Sequence, residues 1–147
     1  MRLTVRKATA DDAADLLAWR NDPVTRAMSR STEPVEAGDH ARWFHGALAD
    51  PTCTLLIGEQ AGRKIGMVRL ARGEETEVSI NLNPAARGRR LAGELLALAL
   101  AEERGAILAV IKPENLASIR LFQGAGFVFD GAADGLARYV RPARATP

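Results

Sequence analysis

Apolar and polar residues alternate at the start of the chain, with Leu3 and Val5 set against Arg2, Thr4 and Arg6. That period of two predicts a short first strand. Thr9 follows as a helix cap, with Asp11 and Asp12 in the first turn and Leu16, Leu17 and Trp19 along the helix. The helix should end near Arg20-Asn21-Asp22-Pro23, because the residue before a proline avoids the helical region. A polar loop is expected through Met28-Ser29-Arg30-Ser31, then a second helix from Asp39 or His40 to Leu48 with Trp43, Phe44 and Ala47 on one face.

From Thr52 the period changes. Thr54–Ile57 reads as a strand, Gln60-Ala61-Gly62-Arg63 as a turn and Ile65–Leu70 as the returning strand. Another strand spans Thr76–Leu82, with Val78, Ile80 and Leu82 on one face and Glu77, Ser79 and Asn81 on the other. An Ala/Leu-rich helix is predicted from about Arg89 to Glu103, stopped by Arg104-Gly105. Ile107–Ile111 is apolar throughout, which suits a central strand buried on both faces. A last helix from Leu116 to Gln123 ends at Gly124-Ala125-Gly126. Phe127–Phe129 and Leu136–Val140 then close the chain as two strands around an Asp130–Gly135 turn.

The predicted order is β-α-α-β-β-β-α-β-α-β-β, an α/β fold built on one mixed sheet with helices on both faces. Residues 1–140 read as a single domain and residues 141–147 as a frayed tail. A length of 147 residues suits one ordinary core, and 47% hydrophobic with 26% charged residues is the composition of a globular chain. A net charge of only +2 argues against nucleic acid as partner. The single Cys53 excludes an internal disulfide, and neither a signal peptide nor a membrane-spanning run is present, so a cytoplasmic protein is expected. His40 and His45, five residues apart, do not form a metal pair, and no metal is expected.

The segment Ser79–Leu96 changes this picture. A strand meets Pro84, then a loop with Arg87, Gly88, Arg89 and Arg90 opens into the helix. Arginines there sit where backbone N–H groups lack intrahelical partners and the helix dipole favours an anion. Gly88 lets the backbone approach closely, and the guanidinium groups can add charge-assisted bonds to phosphate. Alone, the same loop reads as a solvated basic helix start.

Together with Asn115-Leu116-Ala117-Ser118-Ile119-Arg120-Leu121-Phe122-Gln123-Gly124-Ala125-Gly126-Phe127, the loop resembles the GNAT superfamily of acetyl-CoA-dependent N-acetyltransferases. The first stretch resembles that family's R/Q-x-x-G-x-G/A loop, whose amides grip the CoA pyrophosphate. The second resembles its N-x-x-S-x-x-x-Y/F-x-x-x-G-F helix, which lies along the pantetheine arm. The resemblance implies acetyl-CoA as acyl donor, with Leu82, Arg87, Gly88, Arg89, Arg90, Leu91, Ala92, Asn115, Ser118 and Phe122 as its binding residues.

Two positions depart from the family pattern. Arg90 stands where a second glycine is usual; Ala92 fits, so Arg90 is expected in helical geometry as a third phosphate ligand. Phe122 replaces a tyrosine that would protonate the leaving thiolate, and reads as a core residue. Ser118, one turn earlier on the same face, is the nearest hydroxyl, either as that acid or as a support for the CoA chain. Tyr139 is another candidate donor. Glu77 is the best-placed base for deprotonating an amine, by resemblance to a Glu in several GNAT subgroups, or else a sheet-edge charge paired with an arginine.

The amino-terminal half bears on the acceptor. Trp19-Arg20-Asn21-Asp22-Pro23, Met28-Ser29, His40 and Trp43-Phe44 resemble the opening of bacterial nucleotide-sugar N-acetyltransferases acting on UDP-linked 4-amino-sugars. The W-R-N opening is shared more loosely with ribosomal-protein N-terminal acetyltransferases. That resemblance implies a small-molecule amine partner such as a UDP-amino-sugar, with Arg20, Asn21 and Ser29 contacting it, and leaves a homodimer open. A protein N-terminal amine and a catalytically silent acyl-CoA-binding module are the alternatives. Arg20 and Asn21 could also simply anchor the end of the first helix.

Overall fold

The computed structural model describes residues 2–144. The elements are β1 (Leu3–Lys7), α1 (Ala13–Arg20), α2 (Pro23–Met28), α3 (Ala37–Ala49), β2 (Cys53–Gln60), β3 (Arg63–Ala71), β4 (Thr76–Leu82), α4 (Leu91–Leu100), β5 (Ile107–Ile111), α5 (Leu116–Gly124), β6 (Val128–Ala133) and β7 (Leu136–Arg141). The strands form one seven-stranded sheet in the order β1-β2-β3-β4-β5-β7-β6. Every neighbouring pair is antiparallel except β4 and β5. The mixed α/β sheet expected from the sequence is therefore the fold observed.

Alternation along the strands divides the apolar residues between two cores. Val68, Leu70 and Val78 meet Leu95, Leu96 and Leu100 of α4 and Phe122 of α5 on one face. Leu55, Ile57 and Met67 meet Leu16 and Trp19 of α1 and Phe44 of α3 on the other. Gly58 sets how closely α4 lies on the sheet, since a Cβ there would come within 2.6 Å of a Leu95 methyl. No helix among the described residues is long and apolar enough to cross a membrane.

Several boundaries differ from expectation. The stretch after Pro23, expected as loop, forms α2. Asp22 caps it by accepting from the Thr25 amide at 3.2 Å, and Pro23 occupies the first turn, where no N–H is needed. The first helix opens with a 3-10 turn at Ala10–Asp12, and Asp12 reaches back to accept from the Thr9 amide. α4 begins at Leu91 rather than Arg89 and ends at Leu100, short of Arg104. β6 runs to Ala133, which tightens the expected Asp130–Gly135 turn to Asp134-Gly135, both at positive φ. Arg141, placed in the frayed tail by the sequence, is the buried last residue of β7, and the Arg144 amide donates to the Arg104 carbonyl. The remainder of the expected tail, residues 145–147, lies outside the described residues.

The parallel seam between β4 and β5 positions the site. Its register contains only Thr76 opposite Ile107 and Glu77 opposite Leu108. Past those rungs the strands part, while β4 stays paired to β3 as far as Leu82 opposite Gly66.

Candidate functional site

A groove of about 760 Å³ opens where the two strands diverge. Its walls are Val78–Leu82 from β4 and Ala109–Lys112 from β5. Along this stretch β4 has a sheet neighbour on one side only, so its main chain meets the groove as an internal sheet edge. Peptide groups in that position need partners, and an extended ligand can supply them.

The loop after β4 is fixed at its root. Asn83 donates from its amide to the Ile65 carbonyl (2.8 Å) and from Nδ2 to the Lys64 carbonyl (3.0 Å), while its Oδ1 accepts from the Ala85 amide. A 3-10 turn at Pro84–Ala86 leads to Gly88 at φ +78° and Arg90 at φ +59°, ψ +18°. Arg90 is thus left-handed, not helical as expected. The loop must reverse sharply before α4 starts, and Arg90, where the resemblance leads one to expect a glycine, takes glycine's conformation without its freedom. The Arg90 side chain is exposed and makes no cap for α4. The first amides of α4 therefore lack a side-chain acceptor, the state in which a helix N-terminus receives an anion.

Arg90→Gly should relieve the left-handed conformation. We expect unfolding in urea to shift to higher denaturant by about 0.5–1 kcal/mol, the strain relieved less the extra unfolded-state entropy of glycine. A destabilised variant would mean that the loop does not require this conformation.

At the amino end of α5 the amides are already served: Asn115 Oδ1 accepts from the Ser118 amide at 3.2 Å. The two helix starts at the groove therefore differ, one capped and one open. Ala117, Ser118 and Leu121 line the groove. Phe122 reaches its wall but is buried, packed edge-on against Phe127 with ring centroids 5.0 Å apart. Tyr139 is buried in the core against Phe129 and is not part of the groove wall. Across the opening, Lys112 Nζ donates to the Ala27 carbonyl of α2 (3.1 Å). Arg87 bonds Asp22 and the Thr25 hydroxyl, so α2 roofs the loop through two contacts. The Arg87 guanidinium holds the Asp22 carboxyl below the usual carboxylate range.

Of the residues singled out by sequence, the groove gathers Arg20, Ser29, Glu77, Leu82, Arg87, Gly88, Ala92, Asn115, Ser118 and Phe122. Arg89, Arg90 and Leu91 lie outside its wall, as does Asn21. Both ends of the Asn21 amide are used by the main chain of Val35, donating at 2.8 Å and accepting at 2.7 Å. Asn21 therefore pins the segment before α3, an anchoring role of the kind the sequence left open beside acceptor contact. Ser29 Oγ donates to the Thr25 carbonyl at the end of α2. Glu77 accepts from Arg30 Nη2 at 2.8 Å, so its carboxylate sits in the groove held by an arginine from the loop above.

Sequence reasoning missed a second, smaller cavity of about 380 Å³ on the α1/α3 face. It shares Arg20, Arg69, Ser79 and Asn81 with the groove and extends it towards His40 and Trp43. His40 is buried against Phe44, and burial holds its imidazole below the ordinary value, hence neutral at pH 7. The signal for Arg69 was present as one charge inside the otherwise uncharged run Ile65–Ala71 of β3.

The whole can seat an elongated ligand with an anionic end at α4, its middle against β4, and a second molecule arriving from the inner cavity near a carboxylate. The family model described as the acetyltransferase (GNAT) domain matches residues 2–128. No curated protein sequence matches the chain. Among solved structures it is similar to a candidate phosphinothricin N-acetyltransferase, with 27% identity over 96% of this chain and 98% of that one and a TM-score of 0.80. It is also similar to spermidine N-acetyltransferase from Vibrio cholerae in complex with CoA and spermine (21% identity, 94% of each chain, TM-score 0.82). A candidate acetyltransferase from Salmonella typhimurium with its cofactor acetyl-CoA shares 23% identity over 100% of this chain and 98% of that one, at a TM-score of 0.79.

Proposed function

This chain belongs to the GNAT acetyltransferase domain family, and on that premise we propose that it transfers the acetyl group of acetyl-CoA to the primary amine of a small molecule, by direct attack within a ternary complex. The observation that carries this reading is the seam between β4 and β5, which stops after two rungs and opens onto the uncapped start of α4. Acetyl-CoA supplies an activated thioester; the chain supplies its seat and the proton handling. The amides of Gly88 and the first turn of α4, with Arg87, suit the pyrophosphate. Arg89 and Arg90, outside the groove wall, remain as candidates for the ribose phosphate.

Main-chain N–H groups of β4 near Leu82 are the donors for the thioester oxygen, whose charge grows as the amine nitrogen bonds to the carbonyl carbon. The C–S bond then breaks and the thiolate takes a proton, for which Ser118 is the nearest groove hydroxyl. Glu77 accepts the proton lost by the amine, directly or through water. No acetyl-enzyme forms. As acceptor we propose a nucleotide-linked amino sugar, supported by the Trp19–Pro23 resemblance and by Arg20 at the junction of groove and cavity. The chain from β1 to the end of β7 acts as one catalytic domain, and the lone, half-buried Cys53 suits the cytoplasm.

The test is acetyl-CoA-dependent thiol release with an amine panel, together with the acetyl-CoA affinity of Arg87→Ala. Losing a charge-assisted phosphate contact should raise the Kd about tenfold. An unchanged Kd would remove Arg87 from the seat. Tight acetyl-CoA binding without thiol release from any amine would instead favour the silent acyl-CoA-binding module.

A further inference from the structure

The arginines around the groove fall into two kinds. Arg30 and Arg87 face carboxylates, Glu77 and Asp22. Arg20 and Arg69 do not. The Arg69 side chain makes no hydrogen bond or ion pair among the described residues, and its Nε is shut off from solvent without an acceptor. Arg20 donates from Nη2 to the Ser31 carbonyl (3.1 Å), but its Nη1 is equally enclosed and unpartnered. Both line the inner cavity and both line its junction with the groove.

A desolvated guanidinium N–H left without an acceptor costs free energy, so a pair of them on one cavity wall is a site awaiting an anion. Enclosed N–H groups also occur on Arg26 and Arg141, but those residues line neither cavity. The carboxylate within the inner cavity wall, Asp39, is already bonded to Arg42 of its own helix. The wall thus carries two uncompensated positive charges.

We propose that the inner cavity is an oxyanion subsite of the acceptor, in which Arg20 and Arg69 hold a carboxylate or phosphate group carried by the amine substrate. The proposal rests on the acetyltransferase reading and deepens it. Arg69 lies directly across from Ser79, and Glu77 is two residues from Ser79 on the same face, about 7 Å along the strand. An amine a few bonds from an anion seated on Arg69 therefore comes within reach of Glu77 and of the mouth of the groove. The same charges repel a second ammonium group, so polyamines fit this wall poorly. A small amino acid and the diphosphate of a nucleotide sugar both present the required oxyanion.

Thiol release at saturating acetyl-CoA separates the cases. The full chain is offered α-amino acids, each paired with the amine made by its decarboxylation, then aminoalkylphosphonic acids, a UDP-linked amino sugar and spermidine. We expect an anionic acceptor to exceed its uncharged match or spermidine by about 10–100-fold in kcat/KM, the range for charge-assisted hydrogen bonds. The arm that responds identifies the source of the anion. Arg69→Gln and Arg20→Gln should each reduce that ratio at least roughly tenfold, mainly through KM. Equal or better turnover of uncharged amines or spermidine overturns the subsite and leaves the acetyltransferase reading standing. A preference for anions that survives in both variants also overturns it. Thiol release from none of the amines defeats the acetyltransferase reading, and the subsite with it. If a variant does not fold, the ratio in the unsubstituted protein decides alone.

Discussion

Asp12→Ala is expected to destabilise the fold by about 3 kcal/mol, read as a lower urea midpoint at constant slope. Asp12 is only 1% exposed, yet it is an acid in the first turn of a surface helix. Arg6 of β1 bonds both its oxygens at 2.8 and 2.9 Å, Lys64 of β3 approaches at 2.8 Å, and the Thr9 amide adds a bond of 2.8 Å. One carboxylate thus joins two strands to the start of α1. Its removal strands two partly buried cations. The loss stays at the low end of the 3–5 kcal/mol typical of broken buried pairs, because Arg6 keeps Glu59 and Lys64 keeps Asp15.

The pH dependence has a definite sign. Hydrogen bonds from Arg6, foremost, hold the Asp12 carboxyl well below the usual carboxylate range. Its contribution is therefore complete above the unfolded value of about 3.9 and is lost as the pH falls from there through the folded value. The stability gap between the native protein and Asp12→Ala should be flat from pH 5 to pH 8 and shrink below about pH 4. A gap that widened on acidification would contradict this account of Asp12.

The second large effect concerns catalysis. Glu77→Gln is expected to lower kcat for acetyl transfer by about 10²–10⁴-fold, the usual contribution of a positioned base. Glu77 also accepts from Arg30, so a loss of activity could arise from releasing the loop above the groove. Arg30→Gln separates the two roles. It removes the same ion pair but keeps the carboxylate. If Glu77 takes the proton, Arg30→Gln should cost far less than Glu77→Gln, and raising the pH should restore part of the rate to Glu77→Gln by deprotonating free amine. Equal losses in both variants, insensitive to pH, would reduce Glu77 to an anchor for the loop.

Much of the fold was legible because its elements carry clean periods. β4 has the bounds Thr76–Leu82 that its alternation predicts, and the apolar run Ile107–Ile111 is the buried β5. The six residues of α2 hold too little periodicity to read as a helix, although Asp22-Pro23-Val24-Thr25 carries a helix-start signal. At Arg90 local preference favours helical geometry for a non-glycine residue, whereas the loop between β4 and α4 demands a left-handed turn there. The inner cavity had no linear signature. Arg20 and Arg69 are brought together by the packing of α1 over β3 and β4, and a contact of that range is invisible to periodicity. Asn21 illustrates the reverse case: polar and next to Arg20, it serves Val35.

The parting of β4 from β5 also bears on how this site tolerates genetic drift. From Val78 to Leu82 β4 meets the groove along a main-chain edge without a strand partner, which the proposed reading turns towards the thioester, and nearly every amino acid carries the same N–H and C=O. Side chains there can change with the packing they serve, and the polarising donors survive every exchange except one to proline. Selection then concentrates on the few places where a side chain or a special backbone angle is irreplaceable. On the proposed reading, acceptor preference, set by cavity residues such as Arg20 and Arg69, is free to diverge while the main-chain donors of β4 stay in place.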